Sequence, residues 1–230
     1  MLQILIFAST FLMTVSSLIL GFFVLLKSPK VKVNILWFLT CMAVTLWGLG
    51  YILVMTSSSD NVASIYLKIT YFSIVVIPVL FFHFICSFLY QDKKYKSLIW
   101  FGYAVSALFF ILILGSKFII NGIKHLDDFG RYEEINPIFF NFFMVYFLFF
   151  ALFGMYILIQ NRKSSDIYMS RKIIYVLIAA IICFFAGIFN FARNYIGIYP
   201  YGQLIIWVYP LFITYGVFMD PIRIRISKYN

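Results

Sequence analysis

Seven long apolar runs, with nearly all the charge in the connections between them, limit what this chain can fold into. Inside hydrocarbon every backbone N–H and C=O must be satisfied within the segment, so runs of about 20 apolar residues cross as helices. The final pair of runs shows this most sharply. Arg171 and Lys172 precede about twenty apolar positions, enough for one crossing, which end in the polar cluster Asn190, Arg193 and Asn194. The tight turn Ile198-Tyr199-Pro200-Tyr201-Gly202 then returns the chain into a second run, Gln203 to Met219. Two apolar helices joined by so short a turn form a membrane hairpin.

Composition agrees. Of 230 residues, 64% are hydrophobic and only 11% charged, so the bilayer is the solvent for most of the chain. A net charge of +10 invites a nucleic-acid reading. That reading is rejected because the basic residues sit in the connections, where insertion topology accounts for them and anionic lipid headgroups are their default partners. Cys41, Cys86 and Cys183 all fall inside apolar runs, which points to small packing residues rather than a disulfide framework or a metal site. Lys27, Lys30 and Lys32 follow the first run instead of preceding it, so that run is expected to remain as an anchor and not to be a cleaved signal.

The expected fold class is an all-α membrane protein, a seven-transmembrane helix bundle. Its spans lie at about 4–26, 35–55, 64–90, 98–115, 137–159, 173–193 and 203–219, in one domain (1–222) followed by a basic tail (223–230). The loops after spans one, three and five and the tail hold three, three, four and three of the 18 Lys and Arg residues. The other five are Lys68, Lys117, Lys124, Arg131 and Arg193. The positive-inside rule then gives an outside N-terminus and a cytoplasmic C-terminus. The longest connection, Ser116 to Asn136, carries Asp127, Asp128, Glu133 and Glu134, and its start, Phe118-Ile119-Ile120, is expected on the membrane surface.

Polar side chains within spans are read as sites first, because burying them is costly. His83, between apolar neighbours in FFHFI, is expected deep inside span three, within the bundle. It is either a proton- or ligand-responsive group or a neutral imidazole bonded to a neighbouring helix. Lys68, Tyr71, Asn141, Asn190, Arg193 and Gln203 share the outer level, with Asn190 and Arg193 on one helical face. Together they form a candidate outward-opening pocket for a small ligand, an anionic one among the options. The competing reading has Lys68 and Arg193 snorkelling to headgroups while the amides bond helix to helix. Pro78 and Pro210 are expected to bend their spans. No span carries paired carboxylates and no HExxH, GxSxG or phosphate-loop motif occurs, so neither a catalytic residue, a metal nor a cofactor is expected.

The order of several short pieces carries a resemblance. These are Trp47 within TLWGLGY, Tyr71, Pro78 and His83-Phe84 in span three, and Arg171-Lys172 and Asn190 in span six. The turn Gly197-Ile198-Tyr199-Pro200-Tyr201-Gly202 and Tyr215-Gly216-Val217 complete the set. In these the chain resembles the N-terminal seven-transmembrane sensor region of bacterial histidine kinases, over about Ile4 to Ile222. The resemblance implies a multi-pass protein of the bacterial inner membrane that detects a small or membrane-soluble signal. Its implied partners are the lipid bilayer and a cytoplasmic kinase or other output module acting in trans. The oligomeric state stays open between monomer and homodimer. Two departures stand out: Met219-Asp220-Pro221-Ile222 replaces the family's usual basic residue, Leu and Asp-Ile, and only PIRIRISKYN follows Asp220. No phospho-acceptor helix or ATP-binding box is expected in this sequence, so no kinase activity is expected from it. Two further readings remain: a small transporter or channel, and a silent remnant of a truncated sensor kinase.

Overall fold

The computed structural model describes residues 2–115, 119–126, 130–197 and 200–219. In chain order come α1 (Leu2–Lys27), α2 (Lys32–Thr56), α3 (Asp60–Phe88) and α4 (Lys96–Gly115). A β-hairpin follows, β1 (Ile120–Leu126) and β2 (Gly130–Ile135), then α5 (Pro137–Ser164), α6 (Ile167–Ile196) and a seventh segment, Tyr201–Met219. All seven helical segments are long and apolar enough to cross a membrane. At about 1.5 Å per residue the longest exceed the roughly 30 Å hydrocarbon layer, so their ends project beyond it.

Local chemistry sets the helix ends. The Ser59 side chain accepts from the Val62 N–H at the start of α3, Asn136 from Ile138 ahead of Pro137 on α5, and Asp166 from Met169 on α6. Helix α6 stops where Gly197 enters the left-handed region (φ 70°) and its N–H bonds the Arg193 carbonyl.

Helix α3 is the buried axis, packed against α2, α4 and α5. Its own Tyr71, Phe82 and Phe84 are fully buried, as are Trp37, Phe140, Phe143 and Phe150 around it. Edge-to-face pairs such as Phe82–Phe150 (centroids 5.3 Å) and Phe140–Phe191 (5.5 Å) fix their orientations. Within TLWGLGY, Gly48 is pressed against Thr14 of α1 and Gly50 against Thr70 of α3. That close approach supplies the van der Waals contact that holds helices together in lipid. Thr10, Thr14, Thr40, Thr45 and Thr70 return their hydroxyls to carbonyls one turn back, which satisfies them without a partner helix. Exposed apolar side chains, among them Phe11 on α1 and Phe101, Leu108 and Ile111 on α4, form the outer surface that lipid would cover.

The seventh segment is irregular. It runs as two 3₁₀ turns (Tyr201–Leu204 and Ile206–Val208), one α-helical stretch, α7 (Tyr209–Ile213), and a π-helical turn (Thr214–Met219). Pro210 stands in the first turn of α7 and not as a kink within a continuous helix, which corrects its expected role. Pro78 lies inside α3, as the sequence indicates.

Sequence reading missed the hairpin. β1 and β2 pair antiparallel, with Ile123 opposite Glu133 and His125 opposite Arg131, and an irregularity between Ile120 and Gly122. Ile119 and Ile120 are buried in the main core, not on the membrane surface as expected, because the hairpin folds back over the bundle end. Phe118, Lys117, Asp127, Asp128, Ile198, Tyr199 and the tail from Asp220 lie outside the described residues. Arg131 clamps the hairpin to the α2–α3 turn: its Nε donates to Asp60 Oδ1 at 2.8 Å and its other nitrogens to the carbonyls of Ser57 and Ser58. His125 Nε2 lies 2.9 Å from the same carboxylate oxygen. Asp60→Asn is therefore expected to speed amide hydrogen exchange across β1 and β2 while leaving α5 protected; unchanged hairpin exchange would show that the clamp is not what holds it.

Candidate functional site: a buried polar cluster beneath the hairpin

At its middle, strand β2 is buried on both faces, through Tyr132 and Glu133. The Tyr132 ring packs with Ile6, Tyr51 and Leu204, and its hydroxyl donates to the Asn190 carbonyl at 3.1 Å. The next side chain, Glu133, points the other way and accepts from Asn194 Nδ2 at 2.6 Å. The Arg193 guanidinium stacks over the Tyr132 ring at 5.2 Å, and Lys124 approaches that ring at 5.6 Å. Asn190, Arg193 and Glu133 are each buried. The spacing of Asn190, Arg193 and Asn194 on α6 puts all three toward the hairpin.

Burial pushes the Glu133 carboxyl above its ordinary range, since an ion loses solvation there. The Asn194 hydrogen bond, the nearby Tyr71 hydroxyl and the Lys124 charge oppose the rise without cancelling it. Tyr71 acts on the carboxylate by proximity, for among the described residues its Oη makes no well-formed hydrogen bond. Among the described residues, other buried polar atoms at this end also have no hydrogen-bond partner: both side-chain atoms of Asn190, Asn194 Oδ1 and Gln203 Oε1. Gln203 stands beside Leu204, which packs on Tyr132, and its backbone carbonyl accepts from Ser9 Oγ. Leaving such groups unmet costs about 1–3 kcal/mol each, so the cluster is prepared for further hydrogen bonds.

The structure gathers four of the seven sequence candidates at this end: Tyr71, Asn190, Arg193 and Gln203. The 3₁₀ start of the seventh segment brings Gln203 there, because Gly202 sits directly on the Ala186 backbone, one turn before Asn190. Lys68 turns away, its Nζ 3.5 Å from the Leu114 carbonyl on α4. Asn141 is exposed and accepts from Tyr195 Oη on the outer side of α5 and α6.

His83 is at the other end of the bundle. It lies within two turns of the end of α3, half-buried, with Nδ1 3.0 Å from Tyr103 Oη on α4 and Nε2 3.4 Å from Asp92 Oδ1. The expected mid-bundle depth is therefore corrected. Its apolar sequence neighbours point to other faces of the helix and say nothing of what the imidazole meets. Glu133, Tyr132, Asn194 and Tyr51 were not singled out as site residues. The one usable signal was the concentration of four of the chain's eight acids in that single connection.

A family profile described as the N-terminal 7TM region of histidine kinase matches residues 9–222. The chain belongs to that family. Seven apolar crossing helices and this match make it a multi-pass membrane protein of the 7TM histidine-kinase region type. That region is the membrane-embedded portion of such kinases and not their catalytic one. No curated protein matches the chain significantly.

Proposed function

We propose that this 7TM region is a sensory membrane domain. In this reading it takes up a small or membrane-soluble signal at the cluster beneath the hairpin. It then relays a shift of the seventh segment to a cytoplasmic partner. The observation that carries the proposal is the gathering of buried polar atoms from Tyr71, Asn190, Asn194 and Gln203, on α3, α6 and the seventh segment, that have no partner among the described residues. A ligand that supplied their missing partners in one bundle arrangement and not another would shift the equilibrium between the two. The hairpin end faces outward, with the N-terminus outside and the C-terminus cytoplasmic. Support for this comes from Lys27, Lys30, Lys93, Lys94, Arg162 and Lys163, which lie at the opposite end.

The test is a thermal-shift screen of small polar and amphipathic compounds against the chain in lipid nanodiscs. Compounds that raise the unfolding temperature of the wild type are expected to lose that effect in Asn190→Ala and Arg193→Ala. Stabilisation that survives both changes would place the ligand elsewhere.

One observation favours a second reading, transport. The seventh segment is a broken helix, a feature shared with transporter substrate sites, and not the continuous helix expected from the sequence. Ligand-dependent flux into liposomes carrying the purified chain would favour transport over sensing.

A further inference from the structure

At the end of the bundle opposite the hairpin, a cleft of about 310 Å³ opens between the start of α2, the end of α3 and the start of α4. Lys32, Lys93 and Lys96 line it together with a single carboxylate, Asp92. The turn after α3 is built to fold that carboxylate back. Tyr90 takes a left-handed conformation (φ 58°) and the Gln91 N–H bonds the Cys86 carbonyl at 2.7 Å. Ser87 Oγ then donates to Asp92 Oδ1 at 2.6 Å and Lys32 Nζ donates to the same oxygen at 2.7 Å. Asp92 thus fixes Lys32 at the cleft wall.

The other two ammonium groups are not so engaged. Among the described residues neither Lys93 nor Lys96 has a hydrogen bond or ion pair, and both are exposed. The cleft therefore holds more cation than anion. The rest of the lining is apolar and aromatic: Ile99, Trp100 and Tyr103, with the Tyr103 hydroxyl held by His83. Trp100 is 67% exposed and adjoins the lipid-facing row of α4 that continues through Phe101 and Leu108. Indole rings favour this interfacial level.

A cationic cleft beside an indole, at the end of the bundle where the apolar run of α4 begins, matches a ligand with a phosphate head and an apolar body. We infer that this cleft binds the phosphoryl group of an anionic phospholipid, with Lys93 and Lys96 meeting the phosphate and Trp100 packing beside the glycerol and upper acyl chain. Ammonium groups suit phosphate as compact charges, and removal from bulk water strengthens the contact. The inference does not depend on what the hairpin cluster senses.

Native mass spectrometry of the detergent-solubilised chain, offered equal amounts of phosphatidylglycerol and phosphatidylcholine with identical acyl chains, tests it. The wild type is expected to retain phosphatidylglycerol preferentially. Each basic residue near a lipid surface contributes about fivefold, so K93Q/K96Q should lose most of that preference. R162Q/K163Q, which removes two exposed charges at the end of α5, should keep it. A milder single variant, K96Q, should fall between, and unchanged unfolding temperatures exclude misfolding as the cause. Millimolar inorganic phosphate separates the two sources of the phosphoryl group. If it displaces the lipid, the cleft also takes free phosphate; if it does not, the site requires the whole lipid headgroup and body. Equal retention of both lipids by the wild type, or a preference that K93Q/K96Q leaves intact, would overturn the inference.

Discussion

Replacing Gly202 with alanine is expected to push the seventh segment off α6. A Cβ there would stand 2.0 Å from the Ala186 carbonyl oxygen and 2.7 Å from that residue's carbonyl carbon and Cα. These are backbone atoms, so no rotamer change relieves the clash and the two segments must separate. Overpacking of this kind costs about 1–3 kcal/mol, and a chain of this size loses roughly 2–4 °C of unfolding temperature per kcal/mol. Gly122→Ala is the matched comparison, because its Cβ would meet nothing closer than 3.7 Å. Thermal unfolding in nanodiscs, followed by tryptophan fluorescence, should show a clear drop for the first variant and little change for the second. Equal midpoints would mean that the α6 contact with the seventh segment contributes little to stability. The same displacement moves Gln203 away from Asn190, so the variant should also weaken any ligand effect at the cluster.

The second large effect is a pH dependence of hairpin docking. Glu133 has a folded-state pKa above its ordinary value, with burial as the main cause. The sign follows from linkage. The docked hairpin binds the proton more tightly than the undocked one, so its stability is fully present below the ordinary glutamate range. That stability is lost as pH rises through the raised value. A tenfold difference in proton affinity between the docked and undocked states is worth about 1.4 kcal/mol. Hydrogen exchange of the β1 and β2 amides, corrected for intrinsic rates, should therefore quicken across that interval in the wild type. Glu133→Gln should abolish the dependence, since its amide oxygen can still accept from Asn194 and carries no charge to desolvate. Asn194→Ala works in the opposite direction: it leaves the carboxylate without its 2.6 Å donor, a loss of about 1.5–3 kcal/mol for a bond to a charged group, and should widen the pH-dependent interval. Flat exchange in the wild type would show that Glu133 does not titrate between docked and undocked states.

Which parts of this molecule were legible in its sequence depends on what each signal measures. Hydropathy reports transfer from water to hydrocarbon, so all seven crossings were readable, and helix-start residues such as Ser59 and Asp166 extend them beyond their apolar cores. The hairpin was not readable. A strand pair is specified by its packing against the bundle end, and INGIKHL has too little alternation to announce one. Within the site, topology gives height along the membrane normal but not direction around each helix. Asn190 and Arg193, fixed relative to each other by helical spacing, were found together, whereas Lys68 and Asn141 share their level and face elsewhere. Glu133 was passed over because an acid in a connection ordinarily stays in water; here tertiary packing of β2 buries it. TLWGLGY marked a family resemblance, and its physical content is the glycine contact of α2 with both of its neighbours.

In the proposed sensory reading, the state of the hairpin cluster sets the state of the bundle's far end. The most direct measurement joins a histidine-kinase catalytic module in frame to the end of the seventh segment, and records autophosphorylation in nanodiscs for the wild type, Asn190→Ala, Arg193→Ala and Glu133→Gln. Arg162→Gln, on the exposed end of α5, serves as the comparison. The three cluster substitutions are expected to change the rate severalfold in proteins that remain folded, because each alters the balance between two bundle arrangements, while Arg162→Gln does not. Identical rates for all five folded proteins would contradict that reading.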